Sequence, residues 1–301
     1  MQAGQIRIDA SAIRLGRTDR RISRIGLGAM PLSIRGRPDD REHAKRVVRR
    51  AVELGVTLID TADVYCLDDS DIGHNERLIR EALNEVDGGD AVLVATKGGL
   101  TRPGGRWESD ARPEHLRRAC ERSLAALGVD AIDLYQLHAP DPEVPFEDSV
   151  GEIARLRDDG KVLAVGLSNV DAGELQVARE IVEIASVQNR YSPFDRSSET
   201  EGIVETCDRE RITFLPYSPV GGGQGVQRLR RNAALRRIAR RHDATPEEVV
   251  LAWMLSKSPS LCPIPGASRI ESIESSTRAL ALHLPPEAIP ELERAFETLE
   301  S

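Results

Sequence analysis

Residues 92–138 read VLVATKGGLTRPGGRWESDARPEHLRRACERSLAALGVDAIDLYQLH. Two short apolar runs, Val92–Thr96 and Ala131–Leu137, bracket a stretch with apolar residues at helical spacing, Pro113–Leu127. Runs that are short, continuous and apolar are expected of parallel strands covered on both faces. Pro113 stands where a first helical turn tolerates proline. Each run ends at a side chain able to do chemistry, Lys97 after the first and His138 after the second.

This unit recurs along the chain. Further strand candidates are Arg24–Ala29, Thr57–Thr61, Val162–Ser168, Ala185–Gln188, Ile212–Tyr217 and Leu261–Ile264. Further helices are expected over Asp40–Leu54, Asn75–Leu83, Phe146–Asp159, Asp171–Val182, Glu199–Arg209, Pro246–Leu255 and Ile270–Ala281. Alternation of this kind makes an α/β chain with a parallel sheet, and about eight units close more economically into a (β/α)8 barrel than they lie open with two edges. Extra pieces stand outside the repeat. Ile13–Leu15 and Ile22–Arg24 read as an N-terminal β-hairpin; Asn232–His242 and Glu287–Leu299 read as added helices. No low-complexity linker interrupts the sequence, so one domain over 1–301 is expected.

Composition excludes several classes of function. The 301 residues carry 41 Lys and Arg against 49 Asp and Glu, a net charge of −8. That balance argues against nucleic acid, which asks for a basic patch. The local arginine clusters around Arg46–Arg50 and Arg228–Arg241 read as solvated helix faces. No apolar run approaches the ~20 residues of a membrane helix. The N-terminal stretch MQAGQIRIDASAIR lacks the apolar core of a signal peptide, so a cytoplasmic protein is expected. The cysteines at 66, 120, 207 and 262 show neither metal-ligand nor Cys-x-x-Cys spacing, which reads as free thiols and no metal site.

In a barrel the chemistry collects at the C-terminal ends of the strands. Reading each end in turn gives Asp60 with Tyr65, Lys97, His138, Ser168 with Asn169, Gln188, Tyr217 with Ser218, and Ile264 leading to Gly266. Each has an ordinary explanation alone. An Asp after a strand is commonly a cap or turn residue, a duty for which Asp63 is the candidate. A lone Lys is usually a surface charge, and a lone Tyr usually packing with its hydroxyl bonded. Together they differ, because four complementary groups fall at strand ends of one fold.

The order Asp60, Tyr65, Lys97, His138 resembles the catalytic tetrad of the aldo-keto reductase superfamily. The strings IDTADVY, ATKGG, YQLH, GLSN, VQN, YSPVGGG and IPGAS resemble that family as well, over about Ile13 to Leu282. The resemblance implies an NADPH-dependent oxidoreductase, with NADH as the alternative cofactor, reducing an aldehyde or ketone to an alcohol. Tyr65 would be the general acid. An unperturbed phenol has a pKa of about 10, which the Lys97 cation is expected to lower. Asp60 would hold Lys97, and neutral His138 would orient the carbonyl.

The resemblance implies cofactor contacts too. Ser168, Asn169 and Gln188 match positions that bond the nicotinamide carboxamide, and Tyr217 the position that stacks on its ring. Met30, Asp60, Ser218, Val220, Ile264 and Gly266 complete that set. Gly221, Gly222 and Gly223 would let backbone N–H groups approach the pyrophosphate. Ser268 and Arg269 would take a 2′-phosphate. Ser275 and Ser276 stand where many relatives carry a Glu-Asn pair that contacts adenine. Met30, Tyr65, Trp107 and His138 are the expected substrate residues, with Trp107 either a lid on the pocket or a cap over the barrel rim. The acidic segment Asp68, Asp69, Asp71 reads as a solvated loop or a screen against anionic substrates. The partner is a small carbonyl compound, and a monomer is implied by family tendency. Two other readings stand beside this one: a nicotinamide-binding regulatory protein with little catalysis, and a barrel isomerase without nicotinamide. The Tyr65 tetrad argues against the first, and the Ser168, Asn169, Gln188, Tyr217 set against the second.

Overall fold

The protein is described by a computed structural model covering residues 12–34, 37 and 40–299. The first eleven residues of the stretch read above for a leader lie outside the described residues. The chain opens with the expected hairpin, β1 (Ala12–Arg14) antiparallel to β2 (Arg21–Ser23), with Ile13 opposite Ile22. Its turn carries Gly16 at φ +54, and a Cβ there would lie 2.7 Å from the Ala185 backbone. Only glycine therefore lets the hairpin approach so closely. Leu15 and Ile22 pack with Leu58, Leu93, Leu134 and Leu215. These lie at or near the starts of the barrel strands, so the hairpin closes that end as an apolar floor.

Seven parallel strands follow: β3 (Leu27–Gly28), β4 (Leu58–Asp60), β5 (Leu93–Gly98), β8 (Leu134–Leu137), β9 (Val165–Ser168), β10 (Ile184–Gln188) and β11 (Thr213–Phe214). They form one sheet in sequence order, with register pairs such as Asp60 with Ala95 and Gln188 with Ser168. The eighth segment, 261–266, closes the ring without becoming a regular strand. It makes parallel bridges from Leu261 to Phe214, from Ile264 to Tyr217 and from Gly266 to Gly28. The reason is chemical. Pro263 and Pro265 have no N–H to donate, so on that side only their carbonyls work, accepting from Gly26 and Gly28 at 3.0 Å. The chain is an α/β barrel of the expected class.

Helices wrap the outside, beginning with α1 (Arg41–Glu53), α2 (His74–Asn84), α3 (Pro113–Leu127), α4 (Phe146–Asp158) and α5 (Ala172–Ile181). Helix α1 buries Ala44, Val47, Val48 and Ala51, the helical stripe its sequence shows. Capping boxes start α5 and α10 (Pro246–Lys257), from Asp171 with Glu174 and from Thr245 with Glu248.

Three features differ from the sequence reading. First, residues 100–109 fold back as a small hairpin, β6 (Leu100–Thr101) with β7 (Glu108–Ser109). Second, the expected helix 199–209 divides into α6 (Ser197–Thr200) and α7 (Ile203–Glu210), because Gly202 takes φ +77 between them. Third, the glycine run after β11 starts a helix, α8 (Gly222–Arg231), capped by left-handed Gly221. Asn232 ends α8 and caps the next helix, α9 (Ala233–Arg241), its Oδ1 accepting from the Leu235 N–H at 3.0 Å. Helices α11 (Ile270–Arg278) and α12 (Ala288–Glu297) complete the chain. Among the described residues no helix is long and apolar enough to cross a membrane.

Candidate active site

The C-terminal ends of the strands open into a cavity of about 930 Å3. That volume lies at the upper end of the ~300–1,000 Å3 range of small-molecule sites. Tyr65, Trp107, His138, Gln188 and Tyr217 line it together with Asp60 and Met30. The tetrad identified from the sequence is one connected group.

Lys97 is its centre. Its side chain lies within the barrel at 0% exposure. The ammonium donates to Asp60 Oδ2 at 2.8 Å, to the Thr61 carbonyl at 2.8 Å and to the Tyr65 hydroxyl at 3.0 Å. All three donors of the ammonium are thereby used. Burial alone would push its pKa down; the Asp60 carboxylate and Tyr65 reverse that, and the net direction is upward. Lys97 is therefore a fixed cation. Asp60 is held on its other side too, since Gln188 Nε2 donates to Oδ1 at 2.7 Å and Gln136 Nε2 approaches the same oxygen at 3.4 Å.

Tyr65 departs from expectation. Burial raises its pKa, the Lys97 cation opposes this, and Asp60 adds to the rise. The net shift is upward, not downward, because removing a phenolate from water outweighs one cation that is itself neutralised by Asp60. His138 behaves as expected: burial and Lys97 hold its pKa well below the imidazole range, so it is neutral. Its buried Nδ1 has no hydrogen-bond partner among the described residues. The rings of Tyr65, His138 and Trp107 meet edge to face, with centroids 5.7 Å apart for Tyr65 and His138 and 6.4 Å for each contact with Trp107.

The other expected residues sort cleanly. Ser168, Asn169, Tyr217, Ser218, Val220, Gly222, Ile264, Gly266, Ser268 and Arg269 line the cavity. Asn169, at φ +57, is already engaged: its amide donates to the His138 carbonyl at 2.9 Å and to Ser168 Oγ at 3.1 Å, and its Oδ1 accepts from the Tyr217 hydroxyl at 2.9 Å. Gly221 stands behind the lining at φ +75, against the Phe194 ring. Ser276 is not in the lining; its hydroxyl bonds the Ser272 carbonyl inside α11, and Ser272, one turn earlier, faces the cavity instead. Ser275 bonds Glu248 at 2.7 Å.

The acidic segment is turned away from the cavity. Asp68 caps the turn at Ser70, and Asp71 pairs with Arg37 at 3.1 Å. Asp63 caps nothing. Its carboxyl group is fully buried and, among the described residues, accepts no hydrogen bond; its one ion-pair contact is with Arg122 at 3.6 Å. Burial and the neighbouring Glu76 carboxyl push its pKa well up. Cys66 is a buried thiol pushed up to about 11, chiefly by burial, and is no nucleophile.

Two cations of the lining were not assigned to the site from the sequence, Arg190 and Arg230; the latter falls in the arginine cluster expected to be a solvated helix face, yet it lines the cavity. The signals were present. Arg190 follows Gln188 by two, the period of a strand, and Arg230 follows Gly222 by eight, near two helical turns.

The comparisons agree with this geometry. Residues 24–297 match the model of the Aldo/keto reductase family. An uncharacterized oxidoreductase of Schizosaccharomyces pombe is 33% identical over 94% of this chain and 89% of its own length. A Glycine max protein named probable aldo-keto reductase 1 is 32% identical over 93% and 87%. Among solved structures, a glycerol dehydrogenase from Gluconobacter oxydans superposes with a TM-score of 0.81 at 26% identity, covering 97% of this chain and 95% of its own. The thermostable aldo-keto reductase Tm1743, solved with the inhibitor epalrestat, gives 0.79 at 28% identity over 94% and 99%. A barrel carrying an Asp, a Tyr, a Lys and a His at the ends of its strands, matched along nearly its whole length, is an oxidoreductase of known lineage: the chain belongs to the aldo/keto reductase family.

Proposed function

We propose that the protein reduces an aldehyde or ketone to an alcohol with NADPH, and that Tyr65 is the general acid. The observation that carries this reading is the bond from buried Lys97 to the Tyr65 hydroxyl. Because the phenol oxygen accepts from Lys97, its own proton is free to be given to a substrate oxygen. Burial keeps the phenol protonated until that moment, and the fixed cation stabilises the phenolate that remains. Neutral His138 supplies a ring N–H to the carbonyl and does not compete as the acid. Asp60 keeps Lys97 charged and in place.

The cavity suits a nicotinamide dinucleotide, which when bound supplies the hydride. Tyr217 offers a flat face. Gln188, its N–H spent on Asp60, offers its carbonyl oxygen to the carboxamide; Ser168 offers a hydroxyl, and Asn169 sets the positions of both Ser168 and Tyr217. A Cβ at Gly222 would meet nothing within 4 Å, so the start of α8 presents bare backbone to the pyrophosphate. Ser268 and Arg269 would hold a 2′-phosphate; Arg230, paired with Glu247 at 2.6 Å, lines the same cavity. The Gluconobacter relative is named for the reverse reaction, and in that direction Tyr65 would act as the base.

The test is oxidation of NADPH by the purified protein over a panel of aliphatic and aromatic aldehydes. Loss of NADPH absorbance with any of them supports the reading; no turnover of either nicotinamide cofactor with the whole panel contradicts it.

A further inference from the structure

We propose that Arg102 is a positioning residue of this reaction: it holds Trp107 as the substrate-facing wall and ties that wall to the loop that carries Tyr65. The inference deepens the carbonyl-reduction reading and rests on it for its kinetic arm.

Arg102 is 5% exposed, an unusual place for a guanidinium. Among the described residues it makes no ion pair. Its Nη2 donates to the carbonyls of Cys66 and Leu67, at 3.2 and 3.1 Å, the two residues directly after Tyr65. Among the described residues its buried Nε and Nη1 have no acceptor. The guanidinium also lies against the indole. Its carbon lies over the face of the Trp107 ring, 3.9 Å from the centroid. The negative face of the ring thus partly compensates a cation that has no carboxylate within ion-pair distance among the described residues, Asp68 acting on it only from farther off.

The backbone is shaped for this stack. Between β6 and β7 the chain reverses through Gly104 at φ +56 and Gly105 at φ +82, which returns Trp107 over Arg102. A Cβ on Gly105 would sit 3.1 Å from the Leu67 carbonyl, so the loop lies directly against the segment that Arg102 bonds. Trp107 remains 47% exposed and stands nearly perpendicular to the Tyr65 and His138 rings, its centroid 6.4 Å from each. An exposed indole on a short hairpin would otherwise move freely. With the cation behind one face, the rest of the ring is fixed at the reacting centre. A clamp on residues 66–67 alone would need no planar, delocalised cation; the stack does.

The kinetic arm uses benzaldehyde as the probe, with Arg102→Met and Arg102→Lys. Both variants should raise KM by about tenfold, the scale of a lost desolvated cation–π contact. NADPH affinity should change by less than about twofold, since Arg102 lies outside the residues assigned to the cofactor. Lysine should not rescue, because an ammonium cannot stack as a plane. In a Trp107→Leu background, Arg102→Met should change KM by less than about twofold, the signature of coupled residues. An unchanged KM in Arg102→Met, or the same KM shift with and without Trp107, overturns the proposal. A second arm needs neither turnover nor the Arg102 variants. Trp253→Phe leaves Trp107 as the single tryptophan. With Arg102 present, the indole should show no sub-nanosecond local depolarisation; a fast component of large amplitude overturns the proposal. A protein that reduces no carbonyl sinks the functional reading and leaves the Arg102 assignment to this anisotropy.

Discussion

The Lys97 ammonium lies 3.0 Å from the Tyr65 hydroxyl, in a position that solvent does not reach, and Asp60 closes its other side at 2.8 Å. Changing Lys97→Met should leave Asp60 as an unpaired buried charge. Removing one member of a buried pair costs about 3–5 kcal/mol. Thermal unfolding should show a melting temperature lower by several degrees, and turnover should fall by at least about a hundredfold, because the phenolate loses its cation.

The pH dependence of reduction follows from two opposite shifts. Tyr65 titrates above its ordinary value of about 10, so its acid form persists through neutral pH. His138 titrates well below its ordinary value of about 6.5, so it stays neutral over the same range. The profile of kcat/KM should be flat through neutrality and fall only in the alkaline range, beyond about pH 10. A falling limb between about pH 6 and 8 would mean that another group, or a much more acidic phenol, gives the proton.

Asp63 is predicted to be a destabilising residue at neutral pH. Its folded-state pKa is raised, chiefly by burial and then by Glu76. A group raised in the folded state favours folding where it is protonated, so this contribution is gained as pH falls and lost as pH rises through the folded value. Asp63→Asn mimics the protonated form. It should raise the melting temperature at neutral pH by about 1–2 °C, as expected for roughly 1 kcal/mol in a chain of this size. The gain should shrink toward the ordinary carboxylate pKa of about 4. Denaturation followed by circular dichroism at several pH values checks both.

Arg269 carries the preference for NADPH in this account. Arg269→Ala should weaken NADPH by about ten- to a hundredfold, the size of lost hydrogen bonds to a charged group, and NADH by less than about twofold. Fluorescence titration with each cofactor distinguishes the two. Equal weakening would remove Arg269 from the 2′-phosphate site.

How much of this was legible in the sequence follows from the kind of signal each part leaves. The seven regular strands are covered on both faces, so they appear as apolar runs without need of alternation. The eighth, Leu261–Ile264, reads as a strand in the same way, but Pro263 and Pro265 interrupt its ladder and leave only isolated bridges. Asp60, Lys97 and His138 stand out because a strand's end fixes where the next polar side chain points, and Tyr65 stands out with them. What was missed has weaker or conflicting local signals. Gly221 to Gly223 suggest bare backbone for a pyrophosphate but give no sign of a helix, although Gly221 is a left-handed cap and the next residues start α8. The hairpin that aims Trp107 has strands of only two residues, below the length at which periodicity exists. The direction of the Tyr65 shift could not be read at all, since it depends on burial as well as on the neighbouring charge.

The most direct test of the central claim is a single-turnover measurement on Tyr65→Phe, which keeps the ring and removes only the hydroxyl. The protein, preloaded with NADPH, is mixed with an aldehyde that the wild type reduces, and NADPH oxidation is followed in time. Loss of a general acid should slow the step by about 10²–10⁴-fold, while NADPH affinity stays within about twofold of wild type. Oxidation of NADPH at the wild-type rate would contradict the assignment of Tyr65 as the proton donor.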